Sequence, residues 1–394
     1  MEKIKKIKIA LIKNKIDGYI IPKNDEFFGE YISKYNDRLN YISKFSGSYG
    51  FALILRNTNY LFVDGRYTLQ AHNQSGKIFK IITFPDKMPY EVFKKKKLSI
   101  GFDPKLITKN LLYLFFGKTK CHFKPLEKNL VDEIWKRKIP SIKKKYFKLP
   151  EKSVSESYNS KVNQISNYLK KRKADYLFVS ASENNAWLLN IRGHDTKYSP
   201  IPNCHLLIDR NKNINFYCDL KKISSSIKKY LSKVKFFNFK NIDKNLSTIY
   251  GKKFIIDKNS CSFFFEEIIS KNNKILKYQD PIYYLKAIKG KKEIENIKIA
   301  HIIDGAALTK YLFWLKKNYK KKKVTEISAS QKLLKFRKKN KKFKFSSFPT
   351  ISGTGPNGSV IHYKATKETN RKLKKGDIYL VDSGGQYEFG TTDV

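Results

Sequence analysis

A helix that leads into a buried strand occurs twice along the chain, and this repeat constrains the fold more than any other feature. In the first copy, the amphipathic segment 4–16 precedes the apolar run Gly18-Tyr19-Ile20-Ile21, which stops at Pro22. In the second, the segment 160–171 precedes Asp175-Tyr176-Leu177-Phe178-Val179. Helices that alternate with buried strands are typical of α/β proteins. We therefore predict a duplicated α/β fold, although such a pattern also arises often without duplication.

The length and the changes in composition indicate three domains. The chain has 394 residues, and a single hydrophobic core rarely grows beyond about 250–300 residues. Lys, Ser and Pro dominate residues 140–153, which predicts a linker there. From Lys291 onwards, apolar residues recur every three or four positions up to Leu315, which predicts one long helix. We expect domains at residues 1–145, 155–283 and 286–394.

The charge composition is extreme but does not identify a partner. Lys and Arg number 82 against 34 Asp and Glu, a net charge of +48. Such an excess suits nucleic acid or an anionic membrane. However, only nine of the basic residues are Arg, the residue whose planar fork suits phosphates and base edges. The lysines are spread over every segment, so we interpret them as a coding bias carried on solvated faces, with neither nucleic acid nor membrane as partner.

The cysteines and the hydropathy indicate a cytoplasmic protein. Four cysteines, all far apart and without a CxxC pair, indicate neither a zinc ribbon nor a disulfide scaffold. We expect reduced and mostly buried thiols. No uncharged apolar run of about 18 residues is present, and the first residues form no signal-peptide core.

Two aspartates near the carboxyl terminus are candidate metal ligands. Asp382 ends the strand-like run Ile378-Tyr379-Leu380-Val381, and Asp393 lies eleven positions further on. A chain reversal near Tyr387 and Glu388 would place the two carboxylates at mirror positions of a hairpin, about 5 Å apart. Carboxylates this close repel each other unless a cation lies between them. Aspartates in hairpins are also common as turn formers, so the spacing alone leaves both interpretations open.

A glycine-rich loop and a histidine precede this pair. The segment 348–359 predicts a strand that leads into the loop, and Val360-Ile361-His362-Tyr363 predicts a short strand. Glycine allows close backbone approach to a ligand, but no GK[ST] follows, so the loop is not a P-loop. His362 could equally be an ordinary strand histidine.

Several of these phrases resemble one enzyme family in the same order. Val381-Asp382-Ser383-Gly384-Gly385 and Gly390-Thr391-Thr392-Asp393-Val394 resemble the metal-site strands of the aminopeptidase P (Xaa-Pro aminopeptidase) family. Residues 38–48 with 64–67 resemble its creatinase-like N-terminal domain, and residues 186–195 resemble the middle domain of its long, three-domain branch. Residues 285–289 and 300–307 resemble the entry to its pita-bread catalytic domain.

The resemblance implies an α/β protein with two creatinase-like domains followed by a pita-bread metallopeptidase domain. It also implies two divalent metal ions, Mn²⁺ by preference, and removal of the N-terminal residue from peptides with proline second. Asp382 and Asp393 would be metal ligands, and His362 would bind the substrate or move a proton. Arg192 and Asp195, which could also form a structural ion pair, are candidates for substrate binding.

The sequence departs from the family pattern at its end. The family's other ligands, one histidine and two glutamates, would lie beyond Val394, where this chain stops. We expect an incomplete catalytic domain from a truncated or split reading frame, with little or no peptidase activity from this polypeptide alone. A complementary C-terminal fragment could complete the site, and the completed protein is expected to be a homodimer.

Two alternatives remain open at this stage. One is a non-catalytic pita-bread protein that binds a peptide or nucleic acid, which the charge and the missing ligands favour and the two aspartates oppose. The other is a different metallohydrolase of the same fold, such as a creatinase or an Xaa-Pro dipeptidase, which the extra middle domain opposes.

Overall fold

The chain forms two structural units in the computed structural model, which describes residues 1–138, 144–320 and 323–394. Unit 1 contains residues 1–148, 157–196 and 201–287, and unit 2 contains residues 149–156, 197–200 and 288–394. The linker predicted over residues 140–153 lies partly outside the described residues, since 139–143 are not among them. Its last part, Glu151–Ser153, is a short 3₁₀ turn.

The first half of unit 1 is a six-stranded sheet with helices around it. The strand order is β4-β3-β2-β1-β5-β6. Strands β1, β2 and β3 are antiparallel neighbours, whereas β4, β5 and β6 are added in parallel. In chain order the elements are α1 (Glu2–Lys13), β1 (Gly18–Pro22), α2 (Arg38–Ser43), β2 (Gly50–Leu55), β3 (Asn59–Asp64), α3 (Thr68–Ser75), β4 (Lys80–Phe84), α4 (Pro89–Phe93), β5 (Ser99–Phe102), α5 (Lys109–Phe116), β6 (His122–Pro125) and α6 (Leu130–Ile134).

The second half of unit 1 repeats this arrangement strand for strand. Its sheet has the order β12-β11-β10-β8-β13-β14 with the same sequence of antiparallel and parallel pairs. The elements are β7 (Phe147–Lys148), α7 (Tyr158–Lys171), β8 (Tyr176–Val179), α8 (Ser182–Leu188), β9 (Ile191–Arg192), β10 (His205–Asp209), β11 (Ile214–Cys218), α9 (Ser225–Tyr230), β12 (Val234–Asn238), α10 (Ile242–Ser247), β13 (Lys253–Ile256), α11 (Phe263–Asn272), β14 (Lys274–Lys277) and α12 (Pro281–Ala287). The predicted α/β duplication is therefore confirmed.

Hydrophobic burial explains why the predicted strands form. Every residue of β1 and β2 is buried, as expected for strands covered on both faces. In each half of unit 1, one apolar cluster packs against each face of the sheet. At the end of β3 the Asp64 side chain accepts a hydrogen bond from Arg66 N and starts a 3₁₀ turn, so this aspartate acts as a helix-start residue.

Unit 2 combines two helices with short strand pairs. Its elements are α13 (Lys291–Asn318), α14 (Glu326–Lys338), β15 (Phe343–Ser346), β16 (Ile351–Thr354), β17 (Tyr379–Asp382) and β18 (Gly385–Tyr387). Strand β15 pairs with β18, and β16 pairs with β17, both antiparallel. The long helix predicted from Lys291 is confirmed, although Ile294, one of its recurring apolar residues, is 44% exposed.

Two expectations about the whole chain can be compared with the structure. All four cysteines are free, and three of them are buried while Cys121 is partly exposed, as expected. None of the helices in the described part of the chain combines the length and the hydropathy that a membrane-spanning segment requires.

Candidate functional site

Asp382 lies at the carboxyl end of β17, half-buried beside strand β16. Its backbone is opposite Ile351 in the ladder. Burial raises the pKa of the Asp382 carboxyl, the nearby Asp393 carboxylate raises it further, and His362 acts in the opposite direction. These effects require the two carboxylates and the imidazole to lie near one another, because interactions between charges at the protein surface decay over about 10 Å.

The chain after Asp382 reverses in a hairpin, but the register differs from the prediction. Tyr387 N donates to Gly390 O at 2.8 Å, and Ser383 and Val394 exchange two backbone hydrogen bonds of 2.9 and 3.0 Å. Continuing this register places Asp393 opposite Gly384, so the predicted mirror positions of Asp382 and Asp393 are wrong. The turn lies one residue later than expected, which moves the two carboxylates from direct to diagonal neighbours.

The two aspartates nevertheless share one face of the hairpin. Side chains alternate between the faces of an extended strand, and Ser383, Tyr387 and Thr392 point to the buried face, where their hydroxyls are hydrogen-bonded. Asp382 is partly exposed and Asp393 is exposed. Both carboxylates therefore project from the opposite, more accessible face.

Gly384 allows the two strands of the hairpin to approach each other beside this pair. A Cβ atom at position 384 would lie 2.0 Å from Thr392 O and 2.2 Å from Ser347 Oγ. Any side chain here would force the strands apart, because real Cβ contacts are never so short. The glycine therefore belongs to the framework that holds Asp382 and Asp393 on one face.

His362 lies in a turn and not in the predicted strand. Residues 361–362 form a turn, and His362 has a φ of 56°. The prediction of a strand over residues 360–363 is therefore wrong. The preceding segment, Gly355–Ser359, is a 3₁₀ turn, so the chain passes from β16 into a compact loop. His362 is exposed, and its electrostatic interaction with Asp382 lowers the pKa of that carboxyl, against the larger effect of burial.

Arg192 and Asp195 belong to unit 1, whereas the other three candidates belong to unit 2. Arg192 Nη1 donates to the backbone oxygens of Ala186 and Ile191 at 3.2 and 2.9 Å. Asp195 is buried, accepts from Tyr146 Oη at 3.1 Å and forms a salt bridge with Lys222. Lys222 is thus a basic partner of Asp195.

The donor chemistry of the acidic pair fits a hard or borderline divalent cation. Carboxylate oxygens suit Mg²⁺ and Mn²⁺, and a bound cation would offset the burial and the repulsion by Asp393 that together raise the pKa of Asp382. Across residues 1–138, 144–320 and 323–394, however, no group of three or more His, Cys, Asp or Glu side chains is arranged to hold a metal ion. Within these ranges the acidic pair, Asp382 and Asp393, therefore stands as two candidate ligands without a third beside them.

Sequence reasoning missed two buried carboxylates that support these residues. Asp304 in α13 and Glu326 at the start of α14 are both fully buried. A sequence signal for Asp304 existed, since it lies four residues from Ala300 and three from Ala307 on the packed stripe of α13. A charged residue within an apolar stripe usually has a buried partner. For Glu326 the sequence offers no comparable signal.

Family models match nearly the whole chain. Two models described as the Creatinase/Prolidase N-terminal domain match residues 3–131 and 137–293. A model described as Metallopeptidase family M24 matches residues 295–394. The fold is therefore a mixed α/β architecture with two creatinase N-terminal domains and an M24 pita-bread domain, as the sequence predicted.

Relatives that match the whole of this chain identify the family. The Laccaria bicolor protein named Probable Xaa-Pro aminopeptidase P is 33% identical, with 100% of this chain and 64% of the relative covered. The Blastomyces gilchristii protein of the same name is 31% identical, with 100% of this chain and 68% of the relative covered. The chain belongs to the Xaa-Pro aminopeptidase family. It spans about two thirds of the length of these curated relatives.

A solved structure agrees with this family assignment. The X-prolyl aminopeptidase from Caenorhabditis elegans, described as a cytosolic enzyme with a di-nuclear active site, is 26% identical and superposes with a TM-score of 0.93. The alignment covers 100% of this chain and 68% of that chain. The fold of this Xaa-Pro aminopeptidase is thus shared by the protein described here.

Proposed function

We propose that this protein serves a metal-dependent aminopeptidase reaction that releases the N-terminal residue from peptides with proline in the second position. The observation that carries the proposal is the acidic pair, Asp382 and Asp393, on one face of a hairpin with His362 nearby. The names of the relatives support the proline specificity. They give no support to the alternative of a non-catalytic binding protein.

The proposed roles follow from the chemistry of the side chains. Asp382 and Asp393 would hold divalent metal, Mn²⁺ by preference, because oxygen ligands suit this ion. Two bound ions would supply a nucleophile near neutral pH and polarise the scissile carbonyl. His362 would hydrogen-bond the peptide or carry a proton on its imidazole. Proline removes the amide N–H and adds a ring at the scissile bond, so general aminopeptidases cleave this bond poorly.

Further features belong to the same proposal. The isolated 394-residue chain should hydrolyse X-Pro peptides slowly or not at all, because no third ligand joins the acidic pair in the described residues. A complementary C-terminal fragment would restore the reaction, and the complete enzyme would act as a homodimer in the cytoplasm. Residues 1–145, 155–283 and 286–394 are the proposed domains. Arg192 and Asp195 remain candidates for substrate binding, although the buried salt bridge of Asp195 favours a structural role.

Metal binding by the full chain tests the proposal directly. Mn²⁺ binding is measured by electron paramagnetic resonance for the wild type, Asp382→Asn, Asp393→Asn and Glu368→Gln. Each aspartate variant should bind at least about 10-fold more weakly, because one of two charged ligands is lost. Glu368→Gln is the control, since this carboxylate lies in the same unit on the exposed surface.

Hydrolysis provides the second part of the test. Cleavage of Arg-Pro-Pro is followed by chromatography with Mn²⁺, for the chain alone and after addition of the C-terminal third of the Caenorhabditis relative, with Arg-Ala-Pro as the control substrate. Equal Mn²⁺ affinity in the wild type and in Asp382→Asn would contradict the metal centre. Cleavage of Arg-Ala-Pro at the same rate would contradict the proline specificity.

A further inference from the structure

A buried ion pair connects the two helices of unit 2. The Asp304 carboxylate of α13 and the Arg337 guanidinium of α14 are 0% and 1% exposed. Arg337 Nε donates to Asp304 Oδ1 at 2.6 Å, and Arg337 Nη2 donates to Asp304 Oδ2 at 2.8 Å. Burial opposes ionisation, but the bonds from Arg337, Tyr387 and Thr392 hold the pKa of Asp304 below its ordinary value. The Asp304 carboxyl is therefore ionised at neutral pH.

The remaining hydrogen-bonding capacity of this ion pair is directed to the hairpin. Tyr387 Oη donates to Asp304 Oδ1 at 2.6 Å, and Thr392 Oγ1 donates to Asp304 Oδ2 at 2.9 Å. Arg337 Nη2 also donates to Ser383 Oγ at 3.0 Å. A buried ion pair is tolerated only when such additional bonds satisfy it, and here all three come from one hairpin.

Two of these three bonds end one residue away from a candidate metal ligand. Ser383 follows Asp382, and Thr392 precedes Asp393. Both hydroxyl-bearing residues are fully buried. Since neighbouring side chains of an extended strand point to opposite faces, anchoring Ser383 and Thr392 on the inner face fixes the direction of both aspartates on the outer face.

An ion pair that only joined two helices would not need this arrangement. Apolar side chains of similar volume usually replace a buried ion pair without loss of stability. Here the ion pair bonds to both strands of the hairpin. Arg337 donates to Ser383 on the first strand, and Asp304 accepts from Thr392 on the second. The ion pair therefore links the buried side chains of both strands, in addition to the backbone hydrogen bonds that join the strands directly.

We propose that Asp304 and Arg337 are positioning residues that set the separation of the Asp382 and Asp393 carboxylates through Ser383 and Thr392, and thereby set the affinity of this pair for a divalent cation. This inference rests on the proposed function, since it assumes that the two aspartates bind metal. Residues around a metal site that orient its ligands typically contribute about 10- to 100-fold in metal affinity.

The test separates positioning from stability by comparing three variants of the full chain. Ser383→Ala and Thr392→Val each remove a link to a residue beside a ligand. Tyr387→Phe removes a bond to the same Asp304 carboxylate but leaves both of these links intact. Direct substitution of Asp304 or Arg337 could unfold the chain, because it would leave a buried charge without its partner.

Mn²⁺ affinity by electron paramagnetic resonance and melting temperature are measured for each variant. Ser383→Ala and Thr392→Val should weaken Mn²⁺ binding by about 10-fold, whereas Tyr387→Phe should change it by less than about 3-fold. All three variants should lower the melting temperature, since each loses a buried hydrogen bond.

Each contrary outcome has a distinct meaning. Unchanged affinity in Ser383→Ala and Thr392→Val, beside a wild type that binds Mn²⁺, would overturn the positioning inference and leave the proposed function intact. An equal loss in Tyr387→Phe would also overturn it, because the affinity would then follow stability alone. A wild type that binds Mn²⁺ no better than Asp382→Asn would overturn the metal centre and this inference together.

Discussion

At the scale of single residues, His205 shows how burial decides the chemistry of a side chain. Its ring lies against Phe27 and Phe265, with centroid distances of 5.3 and 5.1 Å. Its Nδ1 is 3.1 Å from Ser180 O. Burial lowers the pKa of His205 to about 4. The histidine is therefore neutral at physiological pH, and its role is to pack the two halves of unit 1 together.

The contribution of His205 to stability should fall in acid. An unfolded histidine has a pKa of about 6.5, so between pH 6.5 and 4 the unfolded chain binds a proton at this residue that the folded chain does not, and the contribution of His205 falls as the pH falls. From pH 7 to pH 5 this single group should cost about 2 kcal/mol. Urea unfolding of the wild type and of His205→Gln at both pH values checks this.

The comparison of the wild type with His205→Gln removes contributions of other groups to the pH dependence of stability. Burial also raises the pKa of Asp25 and of Asp280 to about 6. These groups stabilise the fold as the pH falls through this range, but they are present in both proteins and cancel in the difference. The stability advantage of the wild type over the variant should therefore shrink at pH 5. An advantage that is the same at both pH values would be incompatible with a buried neutral histidine.

At the scale of elements, the sequence predicted what local patterns determine. The apolar runs that became β1 and β8 were recognised because they are short, continuous and preceded by amphipathic helices. The hairpin after Asp382 was predicted, but its register was not, because a shift of one residue changes no local preference and depends on bonds to α13 and α14.

The strand predicted around His362 does not form, because a carboxylate that is distant in the sequence fixes the conformation of the loop. Glu326 accepts hydrogen bonds from Thr354 N at 2.8 Å, Tyr363 Oη at 2.9 Å and Arg371 N at 3.0 Å. Asn357 Nδ2 also donates to Glu326 at 3.0 Å. These donors come from both ends of the loop between β16 and β17. Val360 and Ile361 therefore adopt the conformation of the loop, although both residue types favour β-strands.

Replacement of Glu326 by Gln should loosen this loop. The amide has one acceptor oxygen and an NH₂ group that would face donors, so at least one buried donor loses its partner. We expect a loss of about 2–3 kcal/mol of unfolding free energy and faster amide hydrogen exchange over residues 354–371. Hydrogen exchange with mass spectrometry measures the second effect.

A neighbouring substitution controls for damage to the helix itself. Ser328 exchanges hydrogen bonds with Thr325 at the start of α14, so Ser328→Ala should cost about 1 kcal/mol without changing exchange in the loop. Equal exchange rates in the wild type and in Glu326→Gln would show that the loop does not depend on this carboxylate.

At the scale of the whole molecule, unit 2 is assembled from three separate stretches of sequence. Asn296 Nδ2 donates to Lys152 O at 2.8 Å, and Glu293 N donates to Ser155 Oγ at 3.4 Å. The segments 149–156 and 197–200 are thus integral to a unit whose other residues begin at 288. Sequence comparison alone would assign them elsewhere.

A fragment of residues 288–394 should therefore be less stable than unit 2 in the full chain. Fusion of residues 149–156 to its N-terminus through a Gly-Ser linker should recover about 1–2 kcal/mol, because two hydrogen bonds to α13 return. Urea unfolding followed by circular dichroism compares the two fragments. If residues 288–394 unfold at the same urea concentration with and without the fusion, the segment 149–156 contributes nothing to the stability of the unit.

The origin of unit 2 in three stretches also restricts how such a gene can be rearranged. A crossover near codon 287 would give the recipient a C-terminal region without the two short pieces encoded far upstream. The second creatinase domain and the region after it would then have to be inherited together. Among relatives, separation of the second creatinase domain from the region after it should consequently be rare.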